Sequence, residues 1–265
     1  MKRSYPVEFV YQLASLILAV IFVHALYVAW IRPQADTILA DQAARMQVDK
    51  DYVQERSIYV ILRDFEQEAC LILMLWAMAI MAYKGGAAMR EQRLLRLDLV
   101  PLAEGTRILP EDAREFARQI QSLPDSDRRR LLPRSLLSAL HRFRATRNIQ
   151  DVSTTAHGVC ESESERLDSE LSLVRYIAWA IPSIGFIGTV RGIGEALGQA
   201  HQAVEGDIAG VTRSLGVAFN STFAALLISI VLMFLLHQLQ LQQDRLVQDT
   251  ETYLDQHLIH HLQVP

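Results

Sequence analysis

The stretch IPSIGFIGTVRGIG, Ile181 to Gly194, decides how the rest of the chain is read. Its surroundings are apolar, yet it holds a proline, four glycines, a threonine and an arginine. On a helix, Pro182, Gly185, Thr189, Gly192 and Ala196 share one face, with Gly188 beside it. Small residues let membrane helices approach closely, which is where such helices gain packing energy. Pro182 leaves one backbone carbonyl without its usual donor, a defect tolerated in a membrane where protein or water surrounds it. The segment therefore reads as a membrane helix made for close packing.

A matching stripe lies further on, in SLGVAFNSTFAALLISIVLMFLL (Ser214–Leu236), where Leu215, Ala218, Thr222, Ala225 and Ser229 share a face. Asn220 and Ser221 add polarity beside it. Two readings stay open. In one, the stripes are ordinary helix–helix packing and each hydroxyl bonds its own helix backbone. In the other, Thr189, Thr222, Ser221, Ala218, Ala225 and Ser229 line a pore or face a partner, and the hydroxyls hold water or a passing cation. Pro182, Gly185, Gly188 and Gly192 serve helix packing. Arg191 precedes Glu195 by one helical turn, which allows an ion pair. We expect that pair at a subunit interface, with direct ion gating as the alternative.

Outward from these two helices, the chain has the composition of a membrane protein with polar segments. Of its 265 residues 51% are hydrophobic and 21% charged, and the charges collect between long apolar windows. The net charge of −4 shows no basic excess of the kind nucleic acid requires. The windows are Phe9–Trp30, Ala69–Tyr83, Tyr176–Ala200 and Ser214–Leu236. The first is too long for a signal-peptide core and no small-x-small cleavage site follows it, so it reads as an uncleaved span. The second is short and borrows from its flanks, with Glu66, Glu68 and Lys84 marking its ends and Lys84 snorkelling. His24, inside the first span, reads as a packed or interfacial histidine.

Arginine and lysine concentrate between Lys84 and Arg175, in RLLR, DRRR and HRFRATR, whereas the loop HQAVEGDIAG has none and DKDYVQERS mixes both signs. By the positive-inside rule the large middle segment and both termini are cytoplasmic. The segment EDAREFARQIQSL follows Pro110 with acids in its first turn and apolar residues at helical spacing, so the middle segment is helical. RLDSELSLVRYIAWAIP is expected to continue unbroken into the third span. Beyond the fourth span, Leu239, Leu246, Tyr253, Leu254 and Leu258 form an apolar stripe suited to a helical bundle. The expected fold is all-α, with four transmembrane helices and helical cytoplasmic extensions. Its segments are 1–31 (first span), 32–65 (periplasmic), 66–84 (second span), 85–174 (cytoplasmic), 175–237 (third and fourth spans) and 238–265 (cytoplasmic tail).

Enzyme chemistry finds no support. Cys70 and Cys160 lack metal-ligand spacing, and His257, His260 and His261 lack companion ligands at a known spacing. No convergent nucleophile, base or metal cluster is visible, so the chain reads as a non-enzyme without cofactor or metal. None of the spans has a carboxylate well inside it except Glu195 near an end. A proton-driven machine needs a titratable carboxyl in the membrane, so a partner would have to supply it.

Over roughly residues 170–237 the sequence resembles the MotA/TolQ/ExbB family, the ring-forming stator subunits of ion-driven bacterial motors. Gly185, Gly188, Thr189, Val190, Gly192 and Ile193 fit that family's GxxGTVxGI-like core, and Thr222 matches the threonine of its fourth helix. The layout of two spans, a large polar segment and two more spans is similar to the flagellar branch. Arg191 stands where better-known members often carry an apolar residue or tryptophan. Val231 stands where TolQ and ExbB types often carry proline. The N-terminal half has no recognisable flagellar torque helix, which points to a less-studied branch with a dedicated partner.

The resemblance implies a homopentamer in the bacterial inner membrane, its third and fourth helices lining a lumen. Two copies of a single-span partner similar to MotB, TolR or ExbD would stand there and supply an intramembrane aspartate. Proton flow would turn the pentamer around the partner dimer. A sodium-driven motor is the alternative, since the Ser221–Thr222 pair could replace part of a sodium hydration shell. A non-conducting scaffold or signalling protein is the other.

Overall fold

A computed structural model describes residues 7–48, 57–97, 99–100, 107–204 and 208–264. Lys2 and Arg3, the centre of the mixed-charge DKDYVQERS stretch and Glu205–Asp207 lie outside the described residues. Among those described, the fold is all-α, and the one β feature is an isolated parallel bridge between Ile108 and Leu262. Four helical stretches are long and apolar enough to cross a membrane: Val7–Met46, Phe65–Leu95, Ile149–Gly198 and Ala209–His261. The chain divides into two compact units, Met1–Ala82 with Leu173–Leu236, and Tyr83–Ser172 with His237–Pro265.

The first unit is built on α1 (Val7–Leu26), α2 (Arg32–Val48), the short α3 (Ile58–Ile61), and the membrane-spanning parts of α4 (Phe65–Leu95), α9 (Ser172–Gly198) and α11 (Ala209–His257). The helical path continues past residue 31, the expected limit of the first span. A π-helical turn, Tyr27–Ile31, joins it to α2, and the Arg32 N–H bonds the Tyr27 carbonyl. Pro33 is the cause: it has no N–H to offer the Ala29 carbonyl and its ring would strike it. A widened turn lets the helix run past this fault. Val23, Tyr27 and Ile31 are buried in a small cluster against Leu62, Leu71, Ile72 and Leu75. The Tyr11 hydroxyl donates to the Ala79 carbonyl at 3.1 Å, and the Trp76 indole N–H to the Gln12 carbonyl at 2.9 Å.

The second unit has a conventional apolar core. α7 (Leu131–Thr146) packs on α5 (Ala113–Gln121) and α8 (Ile149–Glu170) through Leu132, Leu136, Leu140 and Phe143. Arg147 closes α7 in a left-handed conformation, φ 51°, and the Asn148 side chain caps α8 by accepting the Gln150 N–H at 2.9 Å. The stripe Leu239, Leu246, Tyr253, Leu254 and Leu258 is buried. After α11 the chain clips back, with the Ile108 N–H donating to the His261 carbonyl at 2.8 Å.

Two expectations change. Lys84 does not snorkel: it is buried and its ammonium donates to Glu170 at 2.6 Å. An ion pair of its own chain satisfies the charge, so the side chain has no need of the interface. The helix leading into the third span is interrupted at Leu171, a buried turn residue that separates α8 from α9.

Candidate functional site

The two small-residue stripes meet. A β-carbon placed on Gly188 would lie 2.5 Å from the Ser221 Cβ, and one on Gly192 would lie 2.7 Å from the Ser214 carbonyl oxygen and 2.8 Å from the Ala218 Cβ. One on Gly185 would collide with the Ala225 Cβ. These glycines let α9 press against α11 of the same chain. Ala218 and Ala225 are fully enclosed in this seam, and Ser221 and Ser229 are buried beside it.

Pro182 lies inside α9, so the Ala178 carbonyl one turn earlier loses its backbone donor. The Ser229 hydroxyl of α11 donates to that carbonyl at 3.2 Å. A serine on one span thereby fills the vacancy that a proline makes on the other.

Thr189 and Thr222 stand together on one edge of the seam, half-buried, their hydroxyl oxygens 2.5 Å apart. Thr189 also reaches the Ala218 carbonyl at 3.0 Å, and Thr222 the Gly185 carbonyl at 3.0 Å. Each hydroxyl has one proton. Either direction therefore satisfies the pair: Thr189 donates to Thr222 while Thr222 donates to Gly185, or Thr222 donates to Thr189 while Thr189 donates to Ala218 or, at 3.4 Å, to Gly185. The proton pattern can reverse without moving a heavy atom. Among the described residues no carboxylate is bonded to either hydroxyl.

The opposite edge is charged. Arg191 donates from Nε and Nη2 to both oxygens of Glu66, at 2.8 and 2.9 Å, and from Nη1 to Glu195 at 3.1 Å. The expected Arg191–Glu195 contact is present, and Glu66, from the first turn of α4, joins it. Burial raises the carboxyl of Asp64, just ahead of α4, from its ordinary value of 3.8, against the pull of Arg191 and Arg63. Next in sequence, Gln67 is buried and donates to the Ile61 carbonyl at 2.9 Å and to the Ser221 hydroxyl at 3.4 Å. Glu68 accepts from Arg32 at 2.5 Å and pairs with His24 Nδ1 at 2.8 Å.

His24 thus has a partner in the second span. The run Glu66–Gln67–Glu68 is the feature sequence reasoning missed. The signal was its position: three polar residues in the first turn of an apolar helix need partners in the fold, not only an end to mark.

Residues 127–252 match the model of the MotA/TolQ/ExbB proton channel family, a stretch that includes α7, α8, α9 and most of α11 and so both threonines and the whole seam. A comparison with curated protein sequences found no match. That family is a channel family rather than an enzyme family, and its members work with partner proteins in channel complexes. The protein is a multi-pass membrane protein that carries, over residues 127–252, the domain of the MotA/TolQ/ExbB proton channel family.

Proposed function

We propose that the protein is the ion-conducting subunit of a two-component motor in the bacterial inner membrane, with both termini cytoplasmic. Five copies surround two single-span partner helices, and proton flow turns the ring around them. The observation that carries this reading is the Thr189–Thr222 pair. It offers two hydroxyls at the edge of the seam with a reversible proton pattern and, among the described residues, no carboxylate bonded to them. A partner's aspartate brought to that edge would find a donor when ionised and an acceptor when protonated. The pair would ease proton uptake and release without itself ionising. The concentration of arginine between Lys84 and Arg175 supports the orientation.

Ser221 and Ser229 take a different part in this reading, because their hydroxyls are engaged by Val217 and Ala178 carbonyls. With Ala218 and Ala225 they pack the seam behind the path, and Thr189 and Thr222 face it. The test is ion flux in vesicles containing the chain and its single-span partner, under a proton gradient and then a sodium gradient. Thr189→Ala, Thr222→Ala and an Asp→Asn change in the partner should each lower proton flux. Undiminished flux in all three sinks the mechanism, and flux that follows only sodium replaces the proton by sodium.

A further inference from the structure

We propose that Arg191 and Glu66 are positioning residues of the ion path: their clamp holds the third span rotated so that Thr189 stands at the free edge of the seam. The inference rests on the motor reading above and names residues that reading does not use.

The geometry is specific. Arg191 follows Thr189 by two residues, about 200° around a helix. The seam glycines Gly185, Gly188 and Gly192 lie between the two directions. One edge of the seam therefore carries the hydroxyls and the other carries the guanidinium. On the charged edge, α4 meets the third and fourth spans through Glu66 to Arg191, Gln67 to Ser221 and Cys70 to the Ile181 carbonyl at 3.6 Å. The first of these is two parallel charge-assisted bonds, which fix direction as well as distance. Gly188 leaves room for it, since a β-carbon there would lie 3.2 Å from the Glu66 Cγ.

The seam glycines set how closely the third span approaches α11 but carry no side chain that fixes its rotation. A rigid fork on one edge supplies what the glycines lack. The pairing is also obligatory: an arginine near the membrane is tolerated when carboxylates answer it, and Glu66 and Glu195 together engage three of its nitrogens. With the clamp open, α9 can turn about its axis and the Thr189 hydroxyl leaves the position where Thr222 meets it.

The experiment uses the full chain with its partner in vesicles and reads proton flux, quantity of protein and ring size. Arg191→Ala and Glu66→Gln should each lower flux roughly tenfold, as a misplaced group does, while assembled protein is retained. Arg191→Lys should recover only part, because lysine has no fork. The exchange Arg191→Glu with Glu66→Arg should conduct better than either single change. The decisive measurement is a cycle with Thr189→Ala: if the clamp acts through Thr189, Arg191→Ala adds little to the loss. Losses that multiply overturn the proposal, as does full flux in Arg191→Ala. If Arg191→Ala does not assemble, the cycle is run with Glu66→Gln. Thr189→Ala and Thr222→Ala that conduct normally, together with undiminished flux in the partner's Asp→Asn change, would instead overturn the motor reading itself.

Discussion

At the scale of single residues, the glycines of the third span divide by what stands opposite them. Gly185, Gly188 and Gly192 face α11 at distances no β-carbon can enter, whereas Gly194 and Gly198 have nothing within 4 Å. Helix propensity alone would favour alanine at all five. The seam reverses that preference at three. We expect Gly188→Ala and Gly192→Ala to destabilise the folded protein by about 1–3 kcal/mol through overpacking. Gly194→Ala should be neutral or stabilise it by about 0.5–1 kcal/mol. Thermal unfolding in detergent separates the two groups. Equal effects at Gly192 and Gly194 would mean that the seam is looser than these distances require.

At the scale of the helix, two prolines pose the same problem and receive different answers. Pro33 is bypassed by the π turn Tyr27–Ile31, a repair made within one helix. Pro182 is repaired from another helix, by the Ser229 hydroxyl on the Ala178 carbonyl. The value of Ser229 therefore depends on Pro182. Ser229→Ala should cost about 1 kcal/mol in the natural sequence, the usual worth of one hydrogen bond. It should cost less beside Pro182→Ala, where residue 182 regains its N–H. A double-mutant cycle of unfolding free energies reads the coupling, and strict additivity would deny the link.

This pairing also marks how far the sequence could be read. The small-residue stripes, the four spans and the polar helices between them follow from periodicity, because burial against one neighbour writes a repeat into the chain. The proton channel resemblance rested on the same two helices that the family match covers. What could not be read was which hydroxyl meets which carbonyl. Thr189, Ser221, Thr222 and Ser229 are alike on a helical net, and only the pairing of two helices separates the two threonines bonded to each other from the two serines bonded to carbonyls. The contacts of His24 with Glu68 and Arg191 with Glu66 join residues far apart in sequence, which no local pattern records.

At the scale of the whole molecule, charge is distributed differently in the two units. In the second unit, Glu163 is buried and takes hydrogen bonds from Arg134 at 2.7 Å and from two nitrogens of Arg166. Arg166 also bonds Glu170, which holds Lys84. Burial opposes the charge of Glu163, yet the bonds from Arg166 and Arg134 outweigh it and hold the carboxyl below its ordinary value of 4.5. Glu91 behaves oppositely. Burial and the nearby Glu163 raise it, against a bond from the Leu131 N–H at 3.3 Å.

The signs follow from linkage. Glu163 contributes stability that is complete above pH 4.5 and is lost as pH falls through its lower folded value. Glu91 binds its proton more tightly in the fold, so it costs stability as pH rises from 4.5 through its higher folded value. The second unit should therefore be most stable in mild acid and fail below it. Cys160, fully buried in the core of that unit, reports the opening. In a Cys70→Ser background, its reaction with a pyridyl disulfide, which proceeds in acid, should accelerate sharply below pH 4.5. Glu163→Gln should lower stability at neutral pH by about 1–2 kcal/mol, since it removes charge-assisted hydrogen bonds to two arginines that stay half in solvent. It should also flatten the acid loss. Glu91→Gln should flatten only the limb above pH 4.5. If Glu163→Gln left the acid limb as steep as before, the carboxylates outside this network would be setting it.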